Sequence, residues 1–149
     1  MYNTYHDCYN LTGSPACGNN VTSMSHTYQN CYNLTGSPVC GNKVTDMYNA
    51  YCNCYNLTGS PVCGENVTDM RHTYYNCQNL TGNAVCGNNV TRMYYTYYNC
   101  KNITTGMVGP NVTDMSYAFD RCRNMTELII YATTPPYRSY YDNDLPSNI

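Results

Sequence analysis

Cysteine offers the most reactive chemistry in this sequence, and its placement is regular. Six of the eleven cysteines follow one another at four steps of 23 residues and a last step of 22: Cys8, Cys31, Cys54, Cys77, Cys100 and Cys122. Such thiols could pair as disulfides or pack as small apolar groups. Because equivalent side chains in stacked repeats point the same way, we expect this core cysteine column to be a structural ladder of buried free thiols.

The remaining cysteines divide into a second column and a single outlier. The second column holds Cys17, Cys40, Cys63 and Cys86. It lies one step past an apolar position of the expected strand, so it should be more exposed. Vertical disulfides within it remain an alternative in an oxidising compartment. Cys52 belongs to neither column, and we expect it to be the most reactive single thiol.

No metal or catalytic site follows from the other polar residues. Cys52 and Cys54 are the only close cysteine pair, whereas structural zinc sites need two such pairs. His26 and His72 lie two repeats apart, which is too far to share a metal ion. No nucleophile with a base, phosphate loop or carboxylate pair can be assembled. The sequence therefore predicts a protein that is not an enzyme and that holds no metal or cofactor.

The cysteine spacing belongs to a repeat that covers most of the chain. Apolar columns precede and follow each core cysteine: Met1, Met24, Met47, Met70, Met93 and Met115; Tyr5, Tyr28, Tyr51, Tyr74, Tyr97 and Phe119; Leu11, Leu34, Leu57, Leu80, Ile103 and Met125; Val21, Val44, Val67, Val90 and Val112. Steps of four, three and three from Met to Leu predict a short helix or 3₁₀ turn with one buried side.

A short strand is expected after each helical turn. Leu34, Ser37 and Val39 fall at the three apolar positions of an L-x-x-L-x-L frame, which indicates a short strand, although Pro15, Pro38 and Pro61 each remove one backbone donor. Self-similarity at this period is typical of a repeat solenoid. We therefore expect about six repeats over residues 1–136, each with a short parallel β-strand and a short helix or 3₁₀ turn.

The repeat resembles a known family. Val112-Thr113-Asp114-Met115, followed by Phe119, Cys122, Met125 and Leu128, resembles the Cys-containing leucine-rich repeats of bacterial surface proteins, the BspA-like type also found in lipoproteins, adhesins and phage proteins. The resemblance implies a right-handed leucine-rich-repeat solenoid that serves adhesion or display on a cell surface or a virion. The strand differs from the family, because Gly-Ser-Pro-Val-Cys stands where leucines are usual.

The two ends of the repeat array are expected to differ. Met1 already occupies the methionine column, so the sequence predicts no N-terminal cap and a first turn that is open to stacking or self-association. The apolar run near residues 125–136 predicts a C-terminal cap. Residues 137–149 are polar and predict a tail.

Two further columns concern the surface. We expect a structural asparagine ladder that bonds to turn backbone: Asn10, Asn33, Asn56, Asn79, Asn102 and Asn124. Tyrosines outside the inward columns predict a ligand-binding face for protein or glycan: Tyr9, Tyr32, Tyr48, Tyr55, Tyr75, Tyr94, Tyr95 and Tyr98.

Charge and hydropathy limit the partners and the location. Only seven Lys and Arg residues and a net charge of −2 argue against nucleic acid. No apolar run is long enough for membrane insertion, and no signal peptide is visible. We expect an extracellular, cell-surface or virion protein. Alternatives are a structural subunit that assembles end to end into a fibre and, more remotely, ice binding through threonine ladders.

Overall fold

The structure of the protein is a computed structural model, which describes residues 1–139. Three strands, β1 (Thr81–Ala84), β2 (Asn102–Val108) and β3 (Glu127–Ile130), form one parallel sheet in the order β1-β2-β3. Their register places Ala84 opposite Gly106, and Gly106 opposite Leu128. No helix is present among the described residues.

Segments one repeat apart run parallel and exchange backbone hydrogen bonds outside this sheet as well. The amide of Met24 donates to the carbonyl of Asp46 at 2.8 Å, and the amide of Tyr28 donates to that of Ala50 at 2.8 Å. Isolated parallel bridges continue the pattern through Ser23, Asp46, Asp69, Arg92, Asp114 and Tyr137. The backbone arrangement is therefore repeated along the chain, as a repeat fold requires.

The expected helix or 3₁₀ turn between the methionine and cysteine columns is not present. Two residues in each of these segments have a left-handed backbone, as at His72 (φ 54°) and Asn76 (φ 62°). A left-handed residue every four positions prevents continuous right-handed helix. Alternate amides then point to the neighbouring repeat, so these segments are hydrogen-bonded turns.

The sheet is limited to the last three repeats, and proline explains where it stops. Pro15, Pro38 and Pro61 stand at the column that Ala84 and Gly106 occupy in β1 and β2. Proline has no amide hydrogen and cannot donate to a ladder. The expectation of a strand in every repeat is therefore correct only where proline is absent.

The buried core confirms the apolar columns. The methionine, tyrosine, cysteine, leucine and valine columns are almost fully buried from Met24 to Met125. The first repeat differs, because Tyr5 is 37% exposed and Cys8 is exposed. At the other end, Tyr137 forms a parallel bridge with Asp114. The rest of the expected tail, residues 140–149, lies outside the described residues.

Each buried tyrosine also ties the two sides of its repeat together. The hydroxyl of Tyr74 donates to the Val62 carbonyl at 2.7 Å and accepts from the Val62 amide at 3.2 Å. Tyr51 makes the same pair of bonds with Val39. In the proline-containing segments, the tyrosine hydroxyl thus forms the hydrogen bonds to the backbone that a neighbouring strand would form in a sheet.

Substitution of Gly59 by alanine should destabilise the protein. Gly59 has a φ of +79°, and an added Cβ would overlap the hydroxyl of Ser37. The left-handed backbone costs about 1–2 kcal/mol for a residue with a Cβ, and the overlap adds about 1–3 kcal/mol. Urea unfolding should show a smaller cost when Gly59→Ala is made in a Ser37→Gly background. Equal costs in the two backgrounds would contradict the overlap.

Candidate functional site

Six aromatic side chains form one cluster on the outer side of the turns. We call it the tyrosine cluster; its members are His72, Tyr75, Tyr94, Tyr95, Tyr98 and Tyr117. Tyr75 and Tyr98 stack with centroids 4.8 Å apart, and Tyr95 and Tyr117 stack at 4.6 Å. Tyr94 packs edge-on against Tyr95 at 4.5 Å. The cluster is therefore continuous across three repeats.

The local backbone directs these rings outward. Tyr95 and Tyr117 have φ values of 55° and occupy the first left-handed position of their turns. Tyr75 and Tyr98 fall one residue before the second left-handed position, at Asn76 and Asn99. The column of Tyr75 and Tyr98 lies between the buried tyrosine and cysteine columns. The column of Tyr95 follows the buried methionine column and precedes the buried threonine position. Side chains there point away from the core.

A second group, the tyrosine stack, consists of Tyr9, Tyr32 and Tyr55. Its ring centroids are 5.1 Å and 5.0 Å apart. Burial, followed by the nearby Tyr98, raises the pKa of Tyr75, and Tyr55 of the stack contributes less. Tyr9 at the end of the stack is 48% exposed.

The structure groups most of the predicted tyrosines. Tyr75, Tyr94, Tyr95 and Tyr98 lie within the tyrosine cluster, and Tyr48 is joined to it edge-on through His72 at 6.1 Å. Sequence reasoning missed His72 and Tyr117, although His72, Tyr95 and Tyr117 share one column of the repeat. Reading that column would have identified both.

Two arginines add positive charge at the rims. The guanidinium of Arg71 lies 5.0 Å from the Tyr48 ring centroid, and that of Arg121 lies 5.3 Å from Tyr98. Arg71 also pairs with the buried carboxylate of Asp69 at 2.7 Å, which holds the guanidinium in place. Hydrogen bonding to Asp69 raises the pKa of Arg71. Both cations therefore lie over aromatic faces, and Arg71 is held there by its ion pair.

Stacking determines what the tyrosines present to a partner. The inner rings have their faces against neighbouring rings, so their edges and hydroxyls are what remains exposed. Burial, followed by the nearby Tyr94, raises the pKa of Tyr95 to about 12. Its hydroxyl is thus a protonated donor and acceptor at neutral pH. The site can offer rows of hydroxyls and ring edges, with few free ring faces.

The core cysteine column consists of free thiols, as expected. All eleven cysteines are free. The thiols of Cys54 and Cys77 donate to the carbonyls of Tyr28 and Tyr51, at 3.1 Å and 3.0 Å. The same bond recurs at Cys31, Cys100 and Cys122. Each buried thiol therefore satisfies a carbonyl of the preceding repeat.

The expectation that Cys52 is the most reactive thiol is wrong. Cys52 is 6% exposed, and burial raises its pKa to about 12. A thiol of that pKa is almost entirely protonated at neutral pH, and the thiolate is the nucleophile. Sequence position alone did not show that its column packs beside the core.

Alkylation should therefore label Cys8 in the native protein and spare Cys52. Cys8 is exposed, whereas Cys52 combines burial with a raised pKa. Iodoacetamide at about pH 8, where ordinary thiols are partly ionised, followed by peptide mass spectrometry should show this order. In denaturant the two should react alike. Faster labelling of Cys52 than of Cys8 in the native protein would contradict the packing of residue 52.

Asparagine ladders are present, but the most regular one is not the predicted one. The side-chain amides of Asn53, Asn76 and Asn99 each donate to the asparagine one repeat earlier at 2.8–2.9 Å, and Asn30 donates to Asp7 at 2.7 Å. In the predicted column, Asn56 reaches Asn33 only at 3.5 Å, and Asn33 donates to the Tyr9 carbonyl. The signal in the sequence was the asparagine that precedes four of the six core cysteines, at Asn30, Asn53, Asn76 and Asn99.

Comparisons with known proteins add no assignment. No protein-family model, curated protein or solved structure matches the chain. Among residues 1–139, no group of three or more His, Cys, Asp or Glu side chains is arranged to hold a metal ion. The same residues contain no helix that is both long and apolar enough to cross a membrane.

Proposed function

We propose that the chain is a right-handed, leucine-rich-repeat-like solenoid that acts as a non-enzymatic recognition module of a surface or virion protein. Parallel bridges from Ser23 to Tyr137 at steps of 22 or 23 residues support stacked turns. The buried Met, Tyr, Cys, Leu and Val columns support the resemblance to BspA-like repeats. The short strand of such repeats is supported in β1, β2 and β3.

The tyrosine cluster is the observation that carries recognition as the function. Tyrosine and arginine are the residues most enriched at the energetic centres of protein interfaces. Here rings from neighbouring repeats hold one another in place, so a partner would meet a pre-organised surface and little rotamer entropy would be lost on binding. Arg71 and Arg121 flank the rings.

Protein is the better supported partner class, and glycan is the alternative. Sugar rings stack on open aromatic faces, whereas the inner rings of both tyrosine groups are covered by their neighbours. Rows of hydroxyls and ring edges suit backbone amides, carbonyls and side chains of a protein surface. An exposed face remains at Tyr9, which is 48% exposed.

Binding should be lost when the tyrosine cluster is replaced by residues that the repeat already uses. Gln29 occupies the column of Tyr75 and Tyr98, and Asn49 occupies the column of Tyr95. The substitutions Tyr75→Gln, Tyr95→Asn and Tyr98→Gln therefore introduce residues that the fold already accepts at equivalent positions. Arrays of purified surface proteins and of glycans should be probed with the native chain. We expect a protein ligand whose affinity falls at least about tenfold in the triple variant, as for interface hot spots.

Tyr131→Ala is the matched control, because Tyr131 is 55% exposed and lies outside the tyrosine cluster. It should bind as the native chain does. If only glycans bind, the partner class is glycan and not protein. If a ligand binds the triple variant and the native chain with equal affinity, the tyrosine cluster is not the binding site.

A structural role is the second candidate, favoured by the open first repeat. Tyr5 is 37% exposed, whereas its equivalents in later repeats, Tyr28, Tyr51, Tyr74 and Tyr97, are buried. The exposed side of the first repeat carries the same columns as the side of each later repeat that contacts its preceding neighbour. Light scattering over a range of concentrations tests it: mass that grows with concentration supports end-to-end association, and a constant monomer mass argues against it.

A further inference from the structure

A groove follows the second cysteine column along three successive repeats. We call it the thiol groove. Its three segments enclose about 310, 600 and 410 Å³. Each is lined by two consecutive thiols of the column: Cys17 with Cys40, Cys40 with Cys63, and Cys63 with Cys86. Every open segment therefore has a pair of sulfur atoms from neighbouring turns in its wall.

The four sulfurs occupy equivalent positions. Each Sγ lies 3.6–3.7 Å from the carbonyl oxygen of the following glycine, as in Cys40 and Gly41. Each also packs against the glycine of the next repeat; a Cβ added to Gly64 would lie 2.9 Å from the Sγ of Cys40. Identical placement means that neighbouring sulfurs are separated by the spacing of adjacent strands, about 4.8 Å.

That spacing fits a two-coordinate metal ion. At the zinc–thiolate bond length of about 2.3 Å, an ion midway between two thiolates needs sulfurs about 4.6 Å apart. We propose that the thiol groove binds soft monovalent cations, Cu(I) or Ag(I), between thiolates of neighbouring turns. Thiolate ligands select soft ions of this kind. Each bound ion forms two metal–sulfur bonds, two protons leave to solvent, and no oxidation occurs.

The rest of the molecule argues for this ion class and this column. Within residues 1–139 no three potential ligands converge, so tetrahedral zinc has no site, whereas a linear ion needs only two. The core cysteine column has similar spacing, but its thiols are buried and donate to tyrosine carbonyls. In the thiol groove, the four cysteines are only partly buried and line open space, although each sulfur packs closely against the glycine of the next turn.

Binding should weaken as the pH falls, because the ion must displace protons. A cysteine thiol with an ordinary pKa of about 8.5 carries its proton at neutral pH, and metal binding releases that proton. A decrease in affinity with decreasing pH is the expected direction.

Two double variants with equal numbers of thiols test the proposal. Cys63→Ser/Cys86→Ser keeps Cys17 and Cys40, which are neighbours, whereas Cys40→Ser/Cys86→Ser keeps Cys17 and Cys63, which are two turns apart. The reduced proteins, kept free of oxygen, are titrated with Cu(I) in competition with a chromogenic Cu(I) chelator. The variant with neighbouring thiols should bind at least about 100-fold more tightly, since even loss of an outer-shell partner costs 10–100-fold.

Thermal unfolding of both variants without metal verifies that the two are equally folded, and Ag(I) provides a second probe ion. X-ray absorption on the tighter variant should show two sulfur ligands for each copper. Equal affinity in the two variants would overturn the proposal, as would a copper environment of three or more sulfurs. Either result would assign binding to Cys52 or to the core cysteine column, which both variants retain.

Discussion

Replacement of Cys54 by aspartate is expected to unfold the protein. Cys54 has no exposed surface, and its thiol donates to the Tyr28 carbonyl at 3.1 Å. An aspartate carboxylate would face that oxygen without a donor and without water. Burial of an unpaired charge costs about 3–5 kcal/mol, which is comparable with the whole stability of many domains, about 5–15 kcal/mol. Near-UV circular dichroism and urea unfolding would measure the loss.

The neighbouring residue provides the control. Tyr55 is half-buried and stacks on Tyr32 with centroids 5.0 Å apart. Tyr55→Ala should remove about 1 kcal/mol, the contribution of an aromatic pair, and should leave the fold intact. Equal tolerance of the two substitutions would contradict the assignment of inward and outward columns.

Truncation of Tyr74 should have the next largest effect. Tyr74 is completely buried, and its ring stacks on Tyr51 and Tyr97 at 5.6 Å and 5.4 Å. Tyr74→Ala should cost about 3–5 kcal/mol, as for other buried aromatic side chains. Tyr74→Phe keeps the stack but removes the hydroxyl partner of Val62, and should cost about 1–3 kcal/mol. Urea unfolding with unchanged m-values would give both figures.

The final repeat provides the comparison for the hydroxyl. Phe119 takes the same column, and the segment opposite it lies in β2, whose backbone is paired within the sheet. A hydroxyl at position 119 has no unpaired backbone group to satisfy, so Phe119→Tyr should give no stabilisation. A neutral Tyr74→Phe substitution would show that the hydroxyl bond to Val62 does not contribute.

The core could be predicted because a repeat shows the same constraint several times. Position 54 alone says little, but six cysteines in one column with methionine and tyrosine at fixed offsets define an inward side. The structure buries these columns from the second repeat onward. The prolines in the strand column were expected only to remove one backbone donor each, whereas the structure forms strands only in the three repeats that lack them.

The backbone of the turns could not be predicted from spacing. Steps of four and three fit a helix, but they also fit a turn with left-handed residues at His72 and Asn76. Apolar spacing describes only which side chains share a face, and two backbones can provide the same face. Asparagine and histidine tolerate the left-handed region better than most residues, which was the unused clue.

The tyrosine face was predicted as a list of residues and not as a surface. The sequence shows which tyrosines lie outside the core, whereas the distribution of rings between the tyrosine cluster and the tyrosine stack depends on side-chain packing. Ring stacking also changes the expected chemistry, because it covers faces that a sequence-based argument would count as available. Arg121 contributes through a contact with Tyr98 that no local motif shows.

Stacking of equivalent turns underlies the core, the tyrosine cluster and the thiol groove, and insertion of repeats tests it directly. Three extra copies of residues 47–69 would be placed between Asp69 and Met70, and small-angle X-ray scattering would compare the two proteins. Stacked turns predict a longest dimension greater by about 14 Å, three times the strand spacing of about 4.8 Å, with an unchanged cross-section. A particle that grows equally in all directions, or unfolds, would contradict the account.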